Sequence, residues 1–266
     1  IGCRDPFSEV DGKGIDRLQA AGVDCTVGIL EKECLLLNAR FICYHTKKRP
    51  YIILKWAESA DRKIAAAGKK QTAISGSLTN RLVHRWRAEE AAIAVGSGTA
   101  LNDNPALTAR DDHTPDGLLV PAAEQPIPVV LGRREIPANA RINQHPALEA
   151  HGLTTPLHFD GSDLAAHLKA LHEMGVHSVF VEGGPTVASA FIAAGLADEV
   201  LVYIAPALLG GPRLAIGDLG IESMAGIRRL SIESVEQLGD DLLIRATART
   251  NTTTTALPTE QNEEGH

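Results

Sequence analysis

A strand, a tight turn and a helix follow one another in Val179-Phe180-Val181-Glu182-Gly183-Gly184-Pro185-Thr186-Val187-Ala188-Ser189-Ala190. The apolar run predicts a buried strand, and proline followed by small residues predicts a helix that starts at the turn. The two glycines allow φ > 0 and a close approach to a ligand, while the N–H groups of a helix N-terminus favour an anion such as phosphate. Glu182 stands at the carboxyl end of the strand, where open α/β sheets bind ligands. Such turns also use glycine for geometry alone, so this one leaves a ligand site undecided.

Working outward, strands and helices alternate along the chain. Apolar runs predict strands at 51–56, 91–95, 127–131, 178–181 and 200–204, and helices are predicted at 162–174 and 186–194. A further helix is predicted to open at Ser77 or Thr79, with Leu78, Leu82 and Trp86 as its buried stripe. Segments 229–238 and 242–248 flank Gly239-Asp240 as an antiparallel hairpin. The sequence therefore predicts an α/β fold with a mixed, mostly parallel sheet flanked by helices.

The two ends of the chain differ from this central part. Residues 1–45 predict helix, strand (25–30) and helix (31–41), a unit too small to be independent, and the charged stretch 45–50 predicts a linker. Residues 46–249 form the main predicted domain, and the threonine-rich, apolar-poor segment 250–266 predicts a disordered tail. The chain lacks an initial methionine, so we expect a fragment of a longer protein.

Composition excludes several classes of function. With 266 residues, 44% hydrophobic, the chain can bury a large core, and a net charge of −7 without a Lys/Arg run argues against duplex nucleic-acid binding. The absence of an apolar stretch of about 18 residues predicts a soluble, cytoplasmic protein with no membrane contact. All four cysteines lie in the first 45 residues without metal-ligand spacing, which predicts buried free thiols and no bound metal.

Basic side chains near the ends of predicted strands are candidates for ligand contact. Lys55 interrupts an apolar run, so it either reaches a ligand or pairs with a carboxylate such as Glu182. Arg87 and Arg110 offer planar forks for a substrate phosphate, although for each arginine taken alone a surface salt bridge is the simpler explanation. No phosphate-binding P-loop and no His-Glu-x-x-His zinc motif occurs in the chain.

Five ordered motifs resemble one known family, the bifunctional riboflavin-biosynthesis deaminase-reductase, over nearly the whole chain to about residue 248. They are Leu54-Lys55-Trp56-Ala57-Glu58-Ser59-Ala60-Asp61-Arg62-Lys63-Ile64-Ala65, Val95-Gly96-Ser97-Gly98-Thr99, Asp103-Asn104-Pro105-Ala106-Leu107-Thr108-Ala109-Arg110, Val181-Glu182-Gly183-Gly184-Pro185-Thr186 and Tyr203-Ile204-Ala205-Pro206-Ala207-Leu208-Leu209-Gly210-Gly211. The match falls on the family's reductase domain, and 1–45 is similar to the last elements of its deaminase domain.

The resemblance implies a dihydrofolate-reductase-like fold and an NADPH-dependent reduction of 5-amino-6-(5-phosphoribosylamino)uracil by direct hydride transfer to ribose C1′. It implies Lys55 and Glu182 as catalytic residues. Substrate contacts fall on Gln71, Arg87, Leu107 and Arg110. Cofactor contacts fall on Ala57, Ala73, Thr99, Asp103, Gly184, Pro185, Thr186, Val187, Ala188, Ser189 and Ala190. The family also suggests a homodimer or higher homo-oligomer, for which the apolar segment 200–209 before Gly210-Gly211 is a candidate interface; a buried central strand would explain that segment as well.

The chain departs from the family pattern at three positions. Arg62 replaces the glycine of Asp-Gly-Lys, so a backbone with φ > 0 there would be strained. Ala73 replaces a tryptophan that faces the cofactor, and Gln71 replaces a serine near the substrate. The His-x-Glu and Pro-Cys-x-x-Cys motifs of zinc deaminases are absent, so this chain is not expected to deaminate.

Two other functions stay open. A stand-alone reductase would act on the diaminopyrimidine analogue before deamination, although the deaminase-like segment 1–45 argues against it. A non-catalytic pyrimidine-nucleotide binding module would instead tolerate the changes at Arg62 and Ala73. A fluorescence titration with NADPH and NADH would distinguish this module from both reductases, because an absence of saturable binding would favour the module.

Overall fold

The computed structural model describes residues 1–7, 10–66, 74–111, 113–114 and 116–249. Within these residues the strands form one eight-stranded sheet in the order β4-β3-β2-β5-β1-β6-β8-β7. The strands are β1 Tyr51–Ser59, β2 Ala92–Gly96, β3 Ile127–Leu131, β4 Leu157–Phe159, β5 Ser178–Val181, β6 Glu199–Ala205, β7 Leu230–Leu238 and β8 Asp241–Ala248. The helices are α1 Lys13–Ala20, α2 Glu31–Leu37, α3 Ala39–Lys47, α4 Ser77–Glu89, α5 Ser97–Asp103, α6 Pro146–Ala150, α7 Leu164–Glu173 and α8 Pro185–Ala193.

The sheet is mixed and mostly parallel, which confirms the predicted fold class. Strands β1 to β6 pair in parallel, whereas β8 runs antiparallel to both β6 and β7. The turn between β7 and β8 contains Gly239, whose φ of 68° is the left-handed conformation that glycine adopts at low cost. The C-terminal hairpin is therefore confirmed.

Alternation along the strands divides the core into two layers. On β1, Ile52 and Leu54 face α7 and α8, whereas Tyr51 and Ile53 face the layer that contains Trp86 of α4. All four residues of β5 are buried, as are all five of β2. Because neighbours cover both faces of these central strands, their sequences read as continuous apolar runs.

Helix α4 differs from its prediction in its start and in its buried face. It begins after Gly76 without a side-chain cap, and its buried residues are Thr79, Val83 and Trp86. Trp86 is buried as predicted and Leu82 packs against the same core, but Leu78 is 46% exposed, so the predicted stripe was wrong at its first position. Thr79 faces inward because its hydroxyl donates to Asp241 at 2.6 Å.

The N-terminal segment also departs from prediction. Residues 25–30 form no strand, because no neighbouring strand takes up their backbone groups and Val27, Ile29 and Leu30 are exposed. The predicted helix at 31–41 breaks at Asn38 and resumes as α3, so the stretch predicted as a linker is helical up to Lys47. Of the cysteines, which are all free, only Cys43 is buried.

Ion pairs at both ends of helix α3 attach it to the main domain. Arg40 pairs with the buried Glu90 through two guanidinium nitrogens. At the other end of the helix, Lys47 lies 2.8 Å from Asp198, which also accepts from Arg49. The predicted boundary at 45–46 falls inside this helix, which runs to Lys47. The ion pairs connect both ends of the helix to residues of the main domain. The predicted tail, 250–266, lies outside the described residues.

The segment predicted as an oligomer interface is mostly a central strand. β6 pairs with β1 on one side and with β8 on the other, so it offers no free edge to a second copy. Val200, Leu201 and Tyr203 are fully buried. The alternative explanation, a buried central strand, therefore accounts for residues 200–205, and homo-oligomerisation itself stays a prediction.

Candidate active site

A cavity of about 1020 Å³ opens at the carboxyl ends of β1, β5, β2 and β3. Strand order brings there side chains that are far apart in sequence, and this is the edge at which parallel sheets bind ligands. Nine of the predicted site residues line the cavity: Lys55, Ala57, Thr99, Asp103, Glu182, Gly184, Pro185, Thr186 and Val187.

The glycines of the turn after β5 are required for packing, not for φ > 0. Neither Gly183 nor Gly184 has a positive φ. A Cβ on Gly183 would lie 2.7 Å from Cβ of Val187, and one on Gly96 would lie 2.9 Å from Cγ2 of the same valine. The absence of these side chains lets the first turn of α8 settle directly on the strand ends. The expected φ > 0 at these glycines was therefore wrong, and their close approach to a ligand stays a prediction.

Glu182 holds two cations at the inner end of the cavity. Arg87 donates from Nε to Oε1 at 2.6 Å and from Nη2 to Oε2 at 3.0 Å, a bidentate pair. Nζ of Lys55 lies 3.8 Å from Oε2 and 5.7 Å from the ring centre of Tyr203. The side chains of Lys55, Arg87 and Glu182 are only 12–15% exposed. Of the two possibilities for Lys55, pairing with Glu182 is realised, at a position that also faces the cavity.

Charge pairing shifts the pKa values of this cluster. Burial alone would raise the pKa of Glu182, but Arg87 and Lys55 lower it to about 2. Burial lowers the pKa of Lys55, and the guanidinium of Arg87 adds to that effect, while Glu182 opposes it. Glu182 is thus a carboxylate at neutral pH that accepts hydrogen bonds, and it is not a proton donor there.

Loop 107–110 lies beside this cluster and is held by buried polar groups. Leu107 is buried with a φ of 59°, and the carbonyl of Thr108 accepts from Nη1 of Arg87 at 3.0 Å. The backbone N–H of Arg110 donates to Nδ1 of His84 at 3.2 Å. Burial, together with Arg87 and Arg110, lowers the pKa of His84 to about 4, so the ring is neutral and can accept this bond.

Several predicted site residues lie away from the cavity lining. Arg87, Leu107 and Arg110 stand behind Glu182 rather than on the cavity wall. Further along α8, Ala188 and Ser189 are buried and Ala190 is exposed outside the cavity. The hydroxyl of Ser189 accepts from the N–H of Gly217 at 2.9 Å, a structural contact. Gln71 and Ala73 lie outside the described residues.

The loop after β1 contains the expected left-handed residue. Arg62 has a φ of 63°, which confirms the conformation inferred for this position. Asp61 beside it accepts from the N–H groups of Leu209 and Gly210 at 3.1 and 2.7 Å. The hydroxyl of Ser59 and these N–H groups lower the pKa of Asp61 to about 2. The loop is thereby fastened to the segment after β6 in spite of the strained backbone at Arg62.

Sequence reasoning missed two cationic residues on the cavity wall, Arg134 and Arg213. Gly132-Arg133-Arg134 directly follows β3, and Arg213 follows Gly210-Gly211-Pro212 in the loop after β6. Arginine two residues after a glycine in the loop that follows a strand is the signal that both share. In the described ranges no group of three His, Cys, Asp or Glu side chains could hold a metal ion. None of the described helices is long and apolar enough to cross a membrane.

Comparison with known proteins places this site in a family. The sequence profile of the RibD C-terminal domain matches residues 50–244. The chain is 38% identical to the riboflavin biosynthesis protein RibD of Mycobacterium tuberculosis over 241 residues, which cover 90% of this chain and 67% of that protein.

Two solved structures share the fold. RibD of Acinetobacter baumannii superposes with a TM-score of 0.78 at 30% identity, over 94% of this chain and 72% of that one. A Thermotoga maritima protein, described as a diaminohydroxyphosphoribosylaminopyrimidine deaminase/5-amino-6-(5-phosphoribosylamino)uracil reductase, gives a TM-score of 0.75 at 29% identity, over 94% of this chain and 70% of that one. With the cavity and its charge cluster at the strand ends, these matches show that the chain belongs to the RibD C-terminal domain family, the reductase domain of a riboflavin-biosynthesis protein.

Proposed function

We propose that this chain reduces 5-amino-6-(5-phosphoribosylamino)uracil with NADPH to the ribitylamino product. The observation that carries the proposal is the cavity of about 1020 Å³, which is lined both by the buried Lys55–Glu182 pair and by the start of α8. The Thermotoga maritima relative, described as a reductase of this substrate, supports the choice of substrate.

The residues on the cavity wall fit a dinucleotide. Its volume of about 1020 Å³ lies at the upper end of typical ligand pockets. Gly96 and Gly183 line the cavity, and because a Cβ on either would collide with Val187, their lack of side chains keeps the first turn of α8 close to the strand ends. The first turn of α8 suits a phosphate, because N–H groups at a helix N-terminus favour anions. We propose that the cofactor is held by Ala57, Thr99, Asp103 and Gly184–Val187, which line the cavity. The predicted contacts at Ala188–Ala190 lie further along α8, outside the lining, and complete this set.

In this proposal the C1′–O4′ bond of the ribose opens to leave an iminium at C1′ while O4′ takes up a proton, and NADPH supplies the hydride that C1′ accepts to give the ribitylamine. The chain's own residues supply positioning, which by itself can lower a barrier by several kcal/mol. Glu182 stays ionised and accepts hydrogen bonds, while Lys55 presents an ammonium donor to the cavity. Arg87 fixes Glu182 and, through Thr108, the loop that carries Leu107 and Arg110. We propose that this loop, with Gln71, contacts the phosphorylated ribose.

Anaerobic mixing of the protein with NADPH and the aminouracil phosphate tests the proposal. We expect NADPH to be oxidised, and the diaminopyrimidine precursor to react more slowly. Glu182→Gln should lower kcat/KM, whereas Glu173→Gln, an exposed glutamate on α7 whose side chain is 63% exposed, should not. Faster turnover of the precursor would favour the stand-alone type of reductase. The absence of saturable NADPH binding, with no turnover of either compound, would favour the pyrimidine-nucleotide binding module.

The substrate and cofactor are small molecules, and we propose that the protein works in the cytoplasm as a homodimer or higher homo-oligomer. Its net charge of −7 suits neither nucleic acid nor an anionic membrane surface as a partner. Analytical ultracentrifugation tests the oligomeric state, and a monomer at micromolar concentration would contradict it.

A further inference from the structure

Two neighbouring arginines follow β3, and only one of them faces the cavity. Arg134 lines its wall, whereas the side chain of Arg133 is 79% exposed and lies 4.0 Å from Asp160. The guanidinium of Arg134 lies over the start of α5: a Cβ on Gly98 would be 3.0 Å from its Nη2. The glycine thus makes room for this side chain beside the end of β2.

Lys55 and Glu182 on the cavity wall are paired, whereas the side chains of Arg134, Arg213 and Asp103 have no hydrogen-bond or ion-pair partner among the described residues. Glu182 pairs with both Lys55 and Arg87. Arg134 makes neither a hydrogen bond nor an ion pair with any residue in the described ranges. A guanidinium has five N–H donors in a planar fork that matches phosphate oxygens. A fork with unused donors on the wall of a ligand cavity is suited to an anionic group of that ligand.

The position of Arg134 after β3 indicates which anionic group of the ligand it contacts. The paired charges of Lys55 and Glu182 lie at the ends of β1 and β5, and Arg134 follows β3, in the strand order β3-β2-β5-β1-β6. Arg213 follows β6, on the opposite side of β1. Three strand intervals of about 4.8 Å separate β1 from β3 by about 14 Å. A dinucleotide with its reacting ring near Lys55 and its pyrophosphate near the start of α8 therefore extends its adenosine half towards β2 and β3.

We propose that Arg134 binds the 2′-phosphate on the adenosine ribose and thereby makes the site selective for NADPH over NADH. The inference rests on the proposed function for the identity of the cofactor. The two nucleotides differ only in this phosphate, so a residue that contacts it changes the affinity for NADPH and leaves the affinity for NADH unchanged. Arg133, which points to solvent, makes no such difference.

Fluorescence titration of the purified protein with NADPH and with NADH gives both dissociation constants without turnover. We expect the unaltered protein to bind NADPH at least tenfold more tightly, and Arg134→Gln to remove this preference by weakening NADPH binding alone. Arg133→Gln is the matched control and should keep the preference. In competition with NADPH, adenosine 2′,5′-bisphosphate should bind the unaltered protein more tightly than adenosine 5′-monophosphate does. Arg134→Gln should remove this difference in affinity. The far-ultraviolet circular dichroism of each variant checks that it is folded.

Four results would overturn the inference. If the unaltered protein prefers NADPH and Arg134→Gln keeps that preference, Arg134 does not contact the 2′-phosphate, while the proposed reductase stands. If Arg134→Gln weakens the binding of NADPH and of NADH equally, the residue contacts a part of the nucleotide that both share. If Arg213→Gln removes the preference for NADPH instead, the 2′-phosphate lies at the other end of the cavity. If the unaltered protein binds neither nucleotide, the proposed function falls together with the inference.

Discussion

Replacing Glu182 by glutamine removes the carboxylate that both Lys55 and Arg87 contact and leaves two cations in a nearly dry site. The three side chains are only 12–15% exposed, so water compensates little for the lost charge. Removing one partner of a buried ion pair costs about 3–5 kcal/mol. We expect Glu182→Gln to lower the free energy of unfolding at pH 7 by an amount in this range.

The pKa of Glu182 gives an independent magnitude. Its ordinary value is 4.5 and its value in the folded protein is about 2, and each pH unit of such a difference corresponds to about 1.4 kcal/mol. The charge interactions of this carboxylate therefore contribute about 3 kcal/mol. Because the folded pKa is below the unfolded one, the contribution is complete above pH 4.5 and is lost as the pH falls towards 2. The gap between the unaltered protein and Glu182→Gln should narrow accordingly below pH 4.5.

Urea unfolding of a double-mutant cycle measures the coupling between Lys55 and Glu182. Lys55→Met alone should cost less than Glu182→Gln, because Arg87 still holds the carboxylate through two hydrogen bonds. The double variant removes one cation and the anion together, so its cost should be at least about 1 kcal/mol smaller than the sum of the single costs. Additive single costs, or a gap that stays constant down to pH 3, would refute the reasoning.

The remaining predictions concern backbone strain, a buried aspartate and a buried histidine. Arg62→Gly should raise the free energy of unfolding by up to about 1 kcal/mol in thermal or urea unfolding, because φ is 63° there, and a loss of stability would contradict the strain. Asp241→Asn should cost about 1.5–3 kcal/mol, since this buried carboxylate accepts from Thr79 and from a backbone N–H at 2.6 and 2.7 Å; Asp240→Asn, at an exposed neighbour, is the control and should cost little. Burial lowers the pKa of His145 to about 4 from an ordinary 6.5, so the unfolded chain binds a proton first and stability should fall as the pH drops from 6.5 to 4. His145→Asn should show a smaller fall in urea unfolding between those two pH values, and an equal fall would assign it to other groups.

Local sequence patterns predicted elements whose causes lie within a few residues. β3 and β5 occupy exactly the predicted residues 127–131 and 178–181, because uninterrupted apolar runs bounded by turn residues have few other stable conformations. The hairpin at Gly239 and the left-handed backbone at Arg62 were likewise predictable from turn chemistry and from a motif. The predicted strand at 25–30 failed because a strand needs a neighbour to take up its backbone groups, and its own residues do not supply one.

The sequence by itself determined which residues form the central strands, where glycine must stand and that Lys55 needs a partner or a ligand. Only the tertiary structure decided what those features do. Arg87 and Glu182 are 95 positions apart and meet because β5 is inserted between β1 and β2. Position 183 requires glycine because a Cβ there would collide with Val187, and not because of its φ. Arg134 faces the cavity, whereas Arg133 does not. Periodicity and turn chemistry depend on neighbours along the chain, whereas a bidentate ion pair or a binding cavity depends on the order in which distant strands pack side by side.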